Sequence, residues 1–191
     1  MIILRIWSLF LMGICTGCLP LVVGAGAGGT IIAAQRKGVS GVVSDATIRA
    51  QIRKQWLQSS YPLLRHLSLS VEDGCAVITG RIPSIDMALE ACKLVLNVQG
   101  IRSVHDHTEV SEQDRSFSCY LCDISITSRL RTQVLMDRHL ASFSYGFRTY
   151  DRVVYIMGIA RTSDELHRVI AYAKGISRVR KVVNYAQVAP Q

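Results

Sequence analysis

From Asp45 onward the apolar positions keep two alternating rhythms. Ile48, Ile52 and Trp56 recur at i, i+4 and i+8, as do Ile126, Leu130 and Val134 further along, the spacing of one helix face laid on a core. Each helical stretch leads into period-two alternation: Leu67, Leu69 and Val71 in "HLSLSV", Tyr145 and Phe147 in "SYGFRT". A tight turn follows, "EDG" or "YDR", and then a second strand, "CAVITG" or "VVYIMG", closed by Gly80 or Gly158. Ser84 and Ser163 are the expected N-caps of a second helix, and Asp45 and Asp123 those of the opening helices, where a carboxylate meets the positive helix end. A last strand follows a glycine, Gly100 in "GIRSVHDHTEV" and Gly175 in "GISRVRKVVNYAQV". The glycine-to-glycine interval is 100 − 80 = 20 in the first case and 175 − 158 = 17 in the second, which predicts a second helix about one turn shorter.

The two runs are copies of one unit. At an offset of 78 residues, Asp45 falls on Asp123, Ile48 on Ile126, Arg53 on Arg131, Gln55 on Gln133 and Leu57 on Leu135. The same offset pairs Asp73 with Asp151, Ile78 with Ile156 and Gly80 with Gly158, without a gap. The expected fold is therefore α+β: two tandem α-β-β-α-β units, each a two-layer sandwich of one three-stranded mixed sheet covered by two helices. The hairpin strands pair antiparallel, and the crossover through the second helix brings the last strand in parallel. The domains are placed at 45–110 and 123–191, joined by a linker over 111–122.

The N-terminal 44 residues follow neither rhythm. Arg5 precedes an apolar run, Ile6 to Ile14, too short to span a bilayer and of the length of a signal-peptide core. "TGC" at Thr16–Cys18 resembles the bacterial lipobox, in which the cysteine thiol is alkylated by a diacylglyceryl group and the chain is cleaved just before it. The expectation is a signal peptide over 1–17, a lipidated Cys18 and a Gly/Ala-rich tether over 18–44. Cys15 stands where that motif prefers Leu, and a rival reading runs one membrane helix from Ile6 to Ala34. "GAGAGG" at 24–29 contains G-x-G-x-x-G, but with no preceding strand and no βαβ unit it is read as tether, not as a nucleotide site.

Charge separates the copies. The whole chain is +8, yet residues 45–110 carry 7 Lys+Arg against 7 Asp+Glu, while residues 123–191 carry 11 against 5. Such basicity points to an anionic partner, and a signal peptide argues against nucleic acid. Cys75, Cys92, Cys119 and Cys122 are candidates for disulfide pairing in an oxidising compartment. Cys119-x-x-Cys122, placed in the linker, has the spacing of a redox dithiol or of half a zinc site that His105 and His107 would complete. No strand–turn–helix context supports a redox enzyme there, and neither G-x-S-x-G nor H-E-x-x-H occurs. The expectation is no enzyme, no catalytic residues, no metal and no cofactor. Asp73 and Asp151 are read as turn residues and Trp56 as core.

"VEDGCAVITGRIPS…NVQGIRSV" and "TYDRVVYIMGIARTSDEL…AKGISRV" resemble the G-x-V-x-L-x-G-x-V core and G-[VI]-x-x-V strand of the BON domain, named for bacterial OsmY and nodulation proteins. With the lipobox and the tether, the chain resembles the dual-BON-domain outer-membrane lipoproteins of Gram-negative bacteria. The resemblance implies a non-enzymatic protein on the periplasmic face of the outer membrane that binds anionic phospholipid and supports envelope integrity; the alternative is an adaptor for another envelope protein. The opening helix of the second copy offers the lipid-facing surface: Ile124, Arg131 and Leu135 point away from its buried stripe, with Ser125, Ser128, Arg129 and Thr132 on the outer face and Tyr120 and Leu121 just upstream.

Overall fold

The computed structural model describes residues 44–113, 115–140 and 144–190, so the candidate signal peptide, Cys18 and the tether lie outside the described residues. The first domain runs α1 (Asp45–Gln58), a short α2 (Leu63–His66), β1 (Leu67–Glu72), β2 (Cys75–Ile82), α3 (Ile85–Leu96) and β3 (Ser103–Val110). The second runs α4 (Phe117–Met136), β4 (Tyr145–Tyr150), β5 (Val153–Ala160), α5 (Ser163–Gly175), β6 (Lys181–Asn184) and a two-residue β7 (Gln187–Val188). Each sheet is mixed, as the crossover requires. β2 is central, antiparallel to β1 and parallel to β3; β5 stands likewise between β4 and β6. Among the described residues no helix is long and apolar enough to cross a membrane.

The offset of 78 carries through both domains without a gap. β3 maps onto β6 and β7, and α3 maps onto α5 residue for residue except the last. The second helix is therefore not a turn shorter: α3 has 12 residues and α5 has 13. The glycine spacing misled because Gly175 is helical, while the residue that answers to Gly100 is Arg178, and both take left-handed backbone, φ 98° and 74°. Thr162, not Ser163, caps α5, its hydroxyl accepting from the Glu165 amide.

Asp45 and Asp123 do not cap helices either. Ser44 caps α1, and Asp123 is buried inside α4. Both carboxylates reach across to the β-hairpin turn: Asp45 accepts from the Asp73 and Gly74 amides at 2.8 and 3.0 Å, and Asp123 from the Arg152 amide at 2.9 Å. The repeated aspartate pins the repeated turn. Gly80 and Gly158 lie inside β2 and β5 rather than ending them, because a Cβ there would strike the carbonyl oxygen of His66 or Ser144, which enters the strand before it.

Each domain closes its own core between helices and sheet: Ile48, Ile52, Trp56, Ala76, Ile78, Ala91 and Val95 in the first, Ile126, Leu130, Val134, Val154, Ile156 and Val169 in the second. Trp56 is 1% exposed, and its indole N–H donates to the Ala91 carbonyl. A third cluster joins the domains. Val77 of the first packs with Tyr150, Val153, Tyr155 and Met157 of the second, with Cys75, Val183 and Tyr185 at its margin. These residues alternate with the helix-facing ones along β2 and β5, so the two sheets meet on the faces their helices leave uncovered, β1 against β4 and β2 against β5. Gly146 faces β1 of the first domain at close range: a Cβ there would lie 3.1 Å from the Glu72 Cβ, so Glu72 would have to give way by a few tenths of an ångström.

Candidate functional site

α4 is 20 residues long and begins at Phe117, six residues before the point where the repeat places it. The segment read as the end of a linker is thus its first two turns. The helix buries Asp123, Ile126, Leu130 and Val134. On the opposite side Tyr120, Leu121, Ile124, Ser125, Ser128, Arg129, Arg131, Thr132 and Leu135 are all exposed, so one helix brings together every residue that the sequence reading assigned to this surface. Its apolar members are large and open: Tyr120 is 50% exposed, Leu121 49%, Ile124 44% and Leu135 65%.

Sequence reasoning missed Phe117, the most exposed aromatic on this surface at 72%, whose ring stacks on Tyr120. A signal was present: Phe117, Leu121, Ile124, Ser128, Arg131 and Leu135 follow a 4-3-4-3-4 spacing along one stripe. The repeat hid it, because the matches between the two copies begin only at Asp45 and Asp123.

Arg131 and its counterpart Arg53 flank a cleft of about 570 Å³ between the domains, floored by Leu69, Phe147 and Met157. Arg131 also borders a smaller hollow of about 230 Å³ with Tyr120, Ile124 and Ser128. Below the helix, Arg115 ties the second domain together. Its guanidinium pairs with the buried Asp123, bonds Asp151 at 3.0 Å and lies over the Tyr150 ring at 4.6 Å. Arg81 of the first domain takes the other Asp151 oxygen at 3.1 Å, and Arg148 donates to Thr79 at 3.3 Å across the sheet interface.

All four described cysteines are free thiols. Cys119 and Cys122 sit in the first turns of α4, not in a linker. Cys75 and Cys92 do not face one core: Cys92 packs beneath the helices and Cys75 at the sheet–sheet interface. The cause is strand alternation, since Ala76 and Ile78 take the helix side of β2. Burial, with the Asp106 carboxylate nearby, pushes the Cys92 thiol up to about 11, and burial raises that of Cys75, so both stay protonated at neutral pH. His105 stacks on Tyr185 at 3.7 Å, and His107 meets the Tyr185 hydroxyl at 2.7 Å and the Tyr155 ring at 4.5 Å. Both imidazoles are engaged across the interface with aromatic partners rather than with the cysteine pair.

The BON domain family matches residues 44–112 and 123–190, so the chain belongs to the BON-domain family, with two copies in tandem. It is similar to osmotically-inducible protein Y of Escherichia coli, 24% identical over 147 residues, 76% of this chain and 73% of that protein. A protein encoded in the gshII 5′ region of Anaplasma centrale is 25% identical over 146 residues, 76% of this chain and 95% of its own. Among solved structures, one of CdsD, a structural protein of the type III secretion system of Chlamydia trachomatis, superposes with a TM-score of 0.33 at 11% identity, covering 75% of this chain and 93% of that one.

Proposed function

We propose that the protein is a lipid-anchored BON-domain protein of the periplasmic face of the outer membrane, held there through Cys18, that binds anionic phospholipid through α4 and thereby supports envelope integrity. It performs no catalysis on this reading and needs no cofactor. The observation that carries it is the exposed stripe of Phe117, Tyr120, Leu121, Ile124 and Leu135 on a helix that also bears Arg129 and Arg131. Aromatic and aliphatic groups enter the headgroup boundary, while arginine stems lie along apolar surface and keep their guanidiniums at the phosphate level. The first domain offers Ala46 and Thr47 where the second has Ile124 and Ser125, and it is electrically neutral.

Each basic residue near an anionic surface contributes on the order of 1 kcal/mol, so Arg129→Glu/Arg131→Glu removes at least ~2 kcal/mol, a loss of about thirtyfold or more in partitioning. Sedimentation of a soluble fragment starting at Ser44 with vesicles of phosphatidylglycerol in phosphatidylcholine measures it. We expect Ile124→Asp and the double arginine variant each to abolish co-sedimentation with native circular dichroism. Folded variants that sediment like the parent refute the α4 surface, and a fragment that binds only an envelope protein, never vesicles, favours the adaptor instead.

A further inference from the structure

Both domains turn their hairpins through two consecutive left-handed residues and place a third just before the last strand. In the first domain these are Asp73, Gly74 and Gly100, with φ 50°, 70° and 98°. Glycine suits such backbone, and space is tight as well, since a Cβ on Gly74 would come within 2.6 Å of the Gly100 oxygen. The second domain keeps the conformation and abandons the glycines: Asp151, Arg152 and Arg178 have φ 46°, 63° and 74°. Two arginines thus occupy backbone that disfavours any side chain. They open onto one cleft of about 550 Å³, shared with Arg81, Arg180 and Asp151 and bordered by Ser118, Cys119 and Cys122 of α4.

Within this cleft Arg81 and Asp151 are paired, and among the described residues the other three arginines are not. In the first domain Arg102, which answers to Arg180, folds back onto the Asp73 carbonyl and carboxylate. In the second domain Asp151 is taken by Arg81 and Arg115. Among the described residues, Arg152, Arg178 and Arg180 have no carboxylate partner. Three forked donors from two separate turns, beside the N-terminal turns of α4, suit an anion with acceptor oxygens on several sides. A phosphate group has that form, whereas a carboxylate presents two oxygens in one plane.

We propose that this cleft is a phosphate-ester binding site, with Arg152, Arg178 and Arg180 as the ligands. The phosphate comes from a glycerophospholipid headgroup or from a soluble phosphate ester; the lipid source rests on the α4 reading above, the site itself does not. The test uses the full-length chain. Calorimetric titration in neutral detergent with glycerol 3-phosphate and with inorganic phosphate measures the cleft directly. Hydrogen exchange of the 150–153 turn in nanodiscs of phosphatidylcholine, with and without phosphatidylglycerol, measures the headgroup. Arg152→Gly/Arg178→Gly, which installs the residues of the first domain, should keep or raise the melting temperature while weakening glycerol 3-phosphate binding by at least tenfold; Arg180→Gln should weaken it on the order of tenfold.

Loss of both glycerol phosphate binding and phosphatidylglycerol-dependent protection supports a headgroup site. Loss of glycerol phosphate binding alone supports a soluble ester. Ile124→Asp separates this site from the α4 surface: it should leave glycerol phosphate binding intact, and intact binding with no lipid dependence anywhere sinks the lipid reading while the cleft stands. A parent chain that binds neither phosphate probe, or folded glycine and glutamine variants that bind both as the parent does, overturns the proposal.

Discussion

The two domains share one backbone and differ in what they do with charge. In the first, Asp45 holds the turn amides, and Arg102 lies on Asp73. In the second, the same aspartate sits deeper, 3% exposed, because α4 extends two turns past it and covers it. A buried carboxylate needs a cation, and Arg115 supplies one from the connecting segment. That arginine also draws on Asp151, which leaves Arg180 without the neighbour that its counterpart enjoys. A six-residue extension of one helix thus propagates into a rearranged ion-pair network and an open basic cleft. A duplicated unit diverges here through its electrostatics, while its sheet order and register stay fixed.

The sharpest way to break the comparison is to remove the cation that the second domain places on its buried aspartate. Arg115→Met keeps an unbranched apolar side chain but removes the guanidinium from Asp123, Asp151 and the Tyr150 ring. Losing one member of a buried pair costs about 3–5 kcal/mol, since the remaining charge stays desolvated. Asp45→Asn in the first domain keeps one oxygen for the part-buried turn amides and should cost about 1 kcal/mol. Urea unfolding of the two variants should show the larger loss for Arg115→Met by a wide margin. Equal losses would mean that the extension of α4 does not change what the repeated aspartate is worth.

Much of this architecture was legible. The 3.6-residue stripes of α1 and α4 predicted Ile48, Ile52, Trp56, Ile126, Leu130 and Val134 as core, and all six are buried. Strand order followed from the hairpin and crossover logic. The sheet–sheet interface was written in the sequence but not read. "CAVITG" and "VVYIMG" are apolar without alternation, the mark of a strand buried on both faces, yet each unit was expected to have one covered face only. The helix start at Phe117 was masked by the repeat itself, which offered a ready boundary at Asp123. The basic cleft was out of reach, because left-handed backbone at Arg152 and Arg178 shows only once those residues are matched to Gly74 and Gly100, and the glycine spacing suggested Gly175 instead. For the α4 surface, helical geometry alone sufficed to place the nine residues on one exposed side.

A smaller effect sharpens the comparison from the turn. Arg152→Gly converts the second hairpin to the Asp-Gly sequence of the first. A non-glycine residue in left-handed backbone costs on the order of 1–2 kcal/mol, part of which returns as the larger chain entropy of an unfolded glycine. The single variant should gain about 0.5–1 kcal/mol in urea unfolding. A loss of stability would show that the Arg152 side chain makes a contact worth more than the strain it carries.

The smallest effect concerns the place where the domains touch. His107 of β3 and Tyr185 after β6 are equivalent positions in the repeat, and they meet at the interface. Burial holds the imidazoles of His105 and His107 below the usual 6.5; for His107 the neighbouring His105 and Lys181 push the same way, against Asp106. A histidine whose pKa is depressed by folding binds protons more readily in the unfolded chain. Stability should therefore be complete above about pH 6.5 and fall as the pH drops below it, until the folded protein titrates too. Both rings are half-buried, so solvent screening keeps the effect modest, and the carboxylates titrate separately at lower pH. Unfolding free energies measured between pH 7 and pH 5 should decline in the parent and flatten in His105→Gln/His107→Gln. A parent curve that rises on acidification would require imidazolium to be favoured between the sheets, and would place a carboxylate, not the tyrosine rings, as the partner that matters there.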